Sequence, residues 1–266
     1  MKLEGKCVVV TGAAGGIGAA LARRFAAVGA RAVVVADRDP NGIETVASEI
    51  KAGSSCEALA MVCDVTKESE LRDLVATTED RFGPIDLFCS NAGVISLGGP
   101  EASDADWQLS LDVNVMAHVY AARILVPLMT ERGGGYLLQT ASAAGLLTQL
   151  GSAPYSVTKH AALALAEWLA ITYGEQGIKV SVLAPQAVRT AMTAGVVDGG
   201  VAGVDGMLEP DAVADAVVEG LDAESFLILP HPQVLEYFRR KASDYERWLR
   251  GMRRLQSQFG GAGEPT

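Results

Sequence analysis

Tyr155 and Lys159 stand four residues apart at the head of the run "PYSVTKHAALALAEWLA" (154–170). Residues at i and i+4 share a helix face, so this spacing brings a phenol and an ammonium together. A free phenol titrates at about 10, too high for a useful base near neutrality, and a neighbouring ammonium favours the phenolate. Such a pair could take a proton from an alcohol or return one to a ketone. The same spacing also arises by accident on ordinary helices, so the pair takes its meaning from the rest of the chain. Ser142, in "TASAAG", closes a predicted strand, where its hydroxyl could hydrogen-bond a substrate oxygen beside Tyr155 or merely cap a loop. Asn114, in "DVNV", could serve a site or satisfy backbone groups at a helix bend.

The elements that must position these residues alternate along the chain. Short, almost continuously apolar runs ("CVVV" at 7–10, "RAVVVAD" at 31–37, "IDLFCSNAG" at 85–93, "IKVSVLAP" at 178–185) are separated by amphipathic segments, with one long helical stretch at about 104–131. Strands apolar on both faces need helices on both sides of a parallel sheet. The expected fold is therefore α/β: a doubly wound, seven-stranded parallel sheet of Rossmann type, with ligands at the carboxyl ends of the strands. No linker, repeat or low-complexity stretch divides the chain, so residues 1–259 are read as one domain.

Between the first strand and the first helix lies "VVVTGAAGGIGAAL" (8–21). Gly12, Gly16 and Gly18 there would let the backbone turn sharply and approach a pyrophosphate on the helix N-terminus. Asp37 follows at the end of the second strand, where a carboxylate accepts from ribose hydroxyls and repels a 2′-phosphate. Arg38 next to it could receive that phosphate, but the glycine turn itself holds no Lys or Arg, so NAD is expected over NADP.

Composition narrows the function classes. The 266-residue chain is 49% hydrophobic and carries a formal net charge of −10, the wrong sign for binding a phosphate backbone, so no nucleic-acid partner is expected. No signal-like segment opens the chain and no run has the ~18 uninterrupted apolar residues of a membrane span. Cys7, Cys56, Cys63 and Cys89 form no C-x-x-C pair and no metal-ligand spacing, so they read as buried free thiols in a cytoplasmic protein, without a metal.

These motifs, in this order, resemble the single-domain kind of the short-chain dehydrogenase/reductase family over about residues 5–230. The carrying residues are "TGAAGGIG" (11–18), "DV" (64–65), "SNAG" (90–93), Asn114, Ser142 and "YSVTK" (155–159). The resemblance implies a catalytic set of Asn114, Ser142, Tyr155 and Lys159, with Lys159 also reaching the nicotinamide ribose and Asn114 holding a water that links Lys159 to solvent. For the cofactor it implies contacts from Gly12, Ala14, Gly15, Gly16, Ile17 and Gly18, from Asp37 and Arg38, and from Asp64 and Val65 at the adenine. Asn91, Ala92 and Gly93, then Tyr155 and Lys159, then Pro185, Val188 and Thr190 at the nicotinamide complete that set. Gln186 departs from the family's Pro-Gly in "APQAVRT" (184–190) and puts the pocket's shape in doubt.

Residues 190–210 fall where the family carries its substrate lid. Met192, Val196, Val197, Val201, Met207 and Leu208 suggest an apolar lining and hence a small hydrophobic alcohol or ketone, and the lid lacks a basic cluster for an acyl carrier's phosphates. The helix at 154–170 is apolar or small nearly all round, so a second copy of the chain is expected on its outer face, in a homodimer or homotetramer. Beyond the last strand an extra amphipathic helix is expected at about 232–258, with Arg239, Arg240, Lys241 and several later arginines on its exposed side, followed by a disordered tail, 260–266. The function these features imply is an NAD-dependent oxidoreductase interconverting a hydrophobic secondary alcohol and its ketone. Alternatives are a non-catalytic NAD-binding regulator, an NADP-dependent carbonyl or 3-oxoacyl reductase, and a sugar-nucleotide epimerase or dehydratase, whose larger substrate domain this chain lacks.

Overall fold

The computed structural model describes residues 1–259, apart from the side chains of Val197 and Phe259; the expected disordered tail, 260–266, and the expected lid contact of Val197 lie outside it. Seven strands form one parallel sheet: β1 (Cys7–Thr11), β2 (Ala32–Asp37), β3 (Glu57–Val62), β4 (Leu87–Ser90), β5 (Gly135–Thr140), β6 (Ile178–Leu183) and β7 (Leu227–Ile228). Their order is β3-β2-β1-β4-β5-β6-β7, so the direction of winding reverses between β1 and β4. A crevice opens at such a reversal, beyond the carboxyl ends of the strands.

Strand side chains alternate between the two faces. Val8 and Val10 of β1 pack toward α1 (Gly16–Ala27), α2 (Pro40–Gly53) and α8 (Pro210–Asp222). Cys7 and Val9 pack toward α3 (Glu68–Phe82), α5 (Ala117–Glu131) and α7 (Ala153–Tyr173). Both faces are covered, which is why the strands read as unbroken apolar runs. All four cysteines are buried and free, and burial pushes the Cys7 and Cys56 thiols up to about 11.

The helix expected over 104–131 is interrupted. α4 (Asp104–Leu111) leads into a π-helical turn, Asp112–Met116, before α5 begins. Asn114 sits inside that turn, fully buried, and bonds the backbone of Val94 through both ends of its amide. The widened turn delivers the side chain to this loop, a placement in which such turns recur at functional sites. Asp104–Glu131 is long and apolar enough to cross a membrane by composition, but 56% of its most apolar window is buried against the fold, as a core helix requires.

The C-terminal extension also differs from expectation. It forms two helices, α9 (Gln233–Ser243) and α10 (Tyr245–Phe259), in place of one. Asp244 between them is extended (φ −155°, ψ 90°), and its carboxylate accepts the Arg247 N–H at 2.8 Å, capping the second helix. An Asp with that geometry starts a helix more readily than it continues one. Lys241, expected on the exposed basic side, is instead buried and donates to the Leu146 carbonyl at 2.6 Å in α6 (Ala144–Leu147). A stem long enough to run along apolar surface allows this, and sequence spacing alone does not reveal it.

Candidate active site

An open cleft of about 2590 Å³ runs along the carboxyl ends of the strands, from Asp37 at one end to α10 at the other. At its first end the glycine turn is built to keep side chains out. Gly12 has φ +67°, and a Cβ there would lie 2.7 Å from the Ala92 Cα. A Cβ on Gly18 would lie 2.1 Å from the Gly12 carbonyl oxygen. Gly15, the residue before α1, offers no side-chain cap, and the first turn of α1 has no acidic residue. The opening N–H groups of α1 and the positive end of its dipole therefore face the cleft uncompensated, a ready site for an anion.

Asp37 borders this turn. Its carboxylate accepts the Ala14 N–H and the Asp39 N–H, each at 3.2 Å, leaving lone pairs for a ligand's hydroxyls. Arg38 beside it is exposed. Asp64 is partly occupied by Thr66, whose N–H and hydroxyl donate at 3.1 and 2.7 Å. Burial works against its charge, but those bonds and Lys67 prevail and hold the carboxyl below the usual range. Asn91 is fixed by donating to the Thr11 carbonyl and accepting from the Thr140 hydroxyl, each at 3.1 Å.

Midway along the cleft the proton-transfer candidates meet. Ser152 caps α7 by accepting the Tyr155 N–H at 3.2 Å, which pins the first turn of the helix at Tyr155. Such a cap contributes about 1 kcal/mol. Lys159 is buried, donates to the Thr140 carbonyl at 3.0 Å, and lies 5.6 Å from the centroid of the Tyr155 ring. Ser142 accepts the Ala144 N–H at 3.1 Å and donates to the Pro185 carbonyl at 3.4 Å, and it lines the same part of the cleft as Tyr155. The Asn114 amide bonds Val94 at 2.9 Å on both sides and donates to the Thr158 hydroxyl at 3.1 Å. Its oxygen and the Lys159 ammonium both come within 3.4 Å of the space a Gly93 Cβ would fill. One lone pair of that oxygen is left for a further donor.

The electrostatics differ from the sequence expectation. Burial pushes the Tyr155 phenol above its ordinary value, and the Ser142 hydrogen bond only partly offsets this. The same burial pushes Lys159 down to about 8. An ammonium that is itself destabilised by desolvation is a weaker support for a phenolate than an exposed one would be.

Every residue of the expected catalytic and cofactor-binding sets lines the cleft except Ala14 and Asn114. Ala14 contributes its backbone to Asp37, and Asn114 stands behind Gly93. Of the lid residues, Met192, Val196 and Val201 line the cleft, whereas Met207 and Leu208 do not; Leu208 packs on the core beside Val188. Gln186 lines the cleft with its N–H donated to His231 Nδ1 at 3.2 Å. Neither the His231 support behind Gln186 nor the wall formed by Tyr237 and α10 was legible in the sequence, since both come from beyond the last strand. His118 is a packing residue: it is buried, and desolvation pushes it down to about 3, so the ring is neutral. Among the described residues no group of ligating side chains could hold a metal ion.

A doubly wound sheet with a glycine turn at its switch point and a Ser–Tyr–Lys cluster beside it defines a dinucleotide-dependent oxidoreductase. The chain belongs to the short-chain dehydrogenase family, whose model, described as short chain dehydrogenase, matches residues 6–199. It is 38% identical over 236 residues to 1-deoxy-11-beta-hydroxypentalenate dehydrogenase of Streptomyces exfoliatus, covering 86% of this chain and 84% of that one. It is 34% identical over 193 residues to 7alpha-hydroxysteroid dehydrogenase of Escherichia coli K12, covering 71% and 74%. Among solved structures it is similar to a short-chain dehydrogenase/reductase from Burkholderia phymatum in complex with NAD, with a TM-score of 0.84, 28% identity, and coverage of 92% of this chain and 96% of that one. The protein is thus an NAD(P)-dependent oxidoreductase acting on CH–OH groups. Its own residues fit that cofactor: the glycine turn admits no Cβ, and the open N-terminus of α1 supplies unpaired donors for a pyrophosphate.

Proposed function

We propose that the protein oxidises an apolar secondary alcohol to its ketone, or reduces that ketone, using NAD in preference to NADP, with Tyr155 as general acid/base. The observation that carries this reading is the convergence of Tyr155, Lys159 and Ser142 in one cleft with the glycine turn. Bound NAD would supply the hydride acceptor. Tyr155 receives the alcohol proton at its phenolic oxygen, and Ser142 holds the substrate oxygen beside it. Lys159, fixed by Thr140, supplies the adjacent positive charge and reaches toward the nicotinamide ribose. Asn114 supports the loop at Val94 and Gly93, and its spare lone pair would hold the water that links Lys159 to solvent. Asp37 favours NAD because it offers acceptors to two ribose hydroxyls and repels a 2′-phosphate. Met192, Val196 and Val201 provide the apolar wall, and relatives named for hydroxylated compounds are in keeping with it. The four buried free thiols suit a cytoplasmic location.

The direct test is a spectrophotometric screen of secondary alcohols and ketones with both cofactors. Turnover of apolar secondary alcohols with NAD is expected; tight NAD binding without turnover of any of them would favour a regulator.

The outer face of α7 supports a second copy of the chain as partner. Val157, Trp168 and Ile171 are exposed on it, Ile171 to 83%, while Ala162, Ala166 and Leu169 are buried against the sheet. An exposed apolar stripe on an otherwise packed helix marks an interaction surface. Light scattering is expected to give two or four times the 27.7 kDa chain mass, and a monomer at micromolar concentration would refute the assembly.

A further inference from the structure

Resting on the oxidoreductase reading above, we propose that the substrate carries a carboxylate at the end remote from its reacting carbon, and that Arg247 and Arg254 of α10 receive it. The two arginines are seven residues apart, two helical turns, and both line the cleft that contains Tyr155. Trp248, Met252 and Leu255 line it from the same helix, so this wall combines apolar surface with two cations. Arg250 and Arg253, on the same helix, do not line it.

The preceding helix, α9, is held in place: Lys241 bonds the Leu146 carbonyl in α6, and the Tyr237 hydroxyl donates to Asp205 in the lid at 2.9 Å. Trp248 packs on the small core formed by Leu146, Leu147 and Val234. The wall is therefore seated on that small core through Trp248, and the helix before it ties to α6 and to the lid.

Its charge is uncommitted. Arg240, which lines the cleft nearby, pairs with Glu236 at 2.9 Å, but Arg247 and Arg254 have no ion-pair partner among the described residues. Of the carboxylates that line the cleft, Asp37 and Asp64 lie at the dinucleotide end, Glu101 accepts the Gly99 N–H, and Asp244 caps α10. Asp198 is exposed on the lid. The chain as a whole carries −10, so an anionic substrate is disfavoured over most of the surface and needs a local positive wall. Guanidinium groups suit that task because their planar fork matches a carboxylate. A membrane surface is the poorer occupant, because Trp248, Met252 and Leu255 turn into the cleft.

The test uses the full chain with NAD present and matched pairs of probes: 4-hydroxycyclohexanecarboxylate and chenodeoxycholate, each against its methyl ester, with oleoyl coenzyme A as a phosphate-bearing control. Affinity is read from tryptophan fluorescence, which Trp248 in the wall reports without turnover. At least one acid is expected to bind about tenfold or more tightly than its ester, the size of a charge-assisted hydrogen bond. The ratio is expected to fall to about one in the double variant Arg247→Gln/Arg254→Gln and to persist in Arg250→Gln/Arg253→Gln, with circular dichroism confirming that both fold. The proposal is overturned if no acid outbinds its ester, if the ratio survives in the first variant, or if the coenzyme A thioester binds more tightly than the acids. Failure of the underlying reading is seen separately, as absence of Tyr155-dependent NAD reduction with both acids and esters.

Discussion

Tyr155→Phe is expected to lower kcat and kcat/KM together by about 10²- to 10⁴-fold, the range for loss of a positioned acid/base, with little change in NAD affinity. Only one oxygen is removed, at the head of a helix whose first turn is fixed through the Tyr155 backbone N–H to Ser152, so the variant keeps its fold. The wild-type pH profile follows from the same pair. Burial raises the Tyr155 phenol and lowers Lys159 to about 8, so the first proton the pair loses as pH rises comes off near 8. Alcohol oxidation delivers a proton to the pair and is favoured by the form that has lost one. Its kcat/KM should rise as pH passes through about 8, while ketone reduction, which needs the proton present, should fall over the same interval. Full activity in Tyr155→Phe, or an oxidation rate that falls through this range, would sink the mechanism.

Wherever spacing along the chain fixes spacing in the structure, the sequence was sufficient. The turn at Gly12 and Gly18 lies between a strand and a helix that any parallel sheet must juxtapose, and Asp37 ends the next strand beside it. Tyr155 and Lys159 share one helix face, so their proximity needed no tertiary knowledge. Ser142 and Asn114 were reachable only through motif order, because nothing local in the sequence says that β5 or a π-helical turn will point at α7. What escaped the reading depended on packing between distant segments. The burial of Lys241 against Leu146 and the seating of α10 on the cleft are decided across roughly a third of the chain, whereas the break at Asp244 is a local cap hidden within a continuous amphipathic spacing. The lysine's effect on the phenol departs from the sequence expectation for a similar reason: proximity is legible in the sequence, but the shared desolvation that drives both groups toward neutrality is not.

Asp37→Asn is expected to reduce kcat/KM with NAD by about 10- to 100-fold and to raise it with NADP, so that the preference between them narrows or reverses. The magnitude is that of hydrogen bonds to a charged acceptor, about 1.5–3 kcal/mol. Two features of the structure give the sign. The Asp37 carboxylate stands at the cleft with lone pairs beyond those used by Ala14 and Asp39, so its charge acts directly on whatever occupies the ribose position. Arg38, exposed beside it, is a guanidinium that can attract a 2′-phosphate once the opposing charge is gone. Asparagine retains an amide oxygen for the Ala14 N–H, so the glycine turn keeps its support and the change isolates charge from shape. Adding Arg38→Gln should then remove the gain with NADP without restoring NAD. Kinetics with both cofactors in the three proteins decide the matter: an unchanged NAD-to-NADP ratio in Asp37→Asn would mean that the preference is set elsewhere in the cleft.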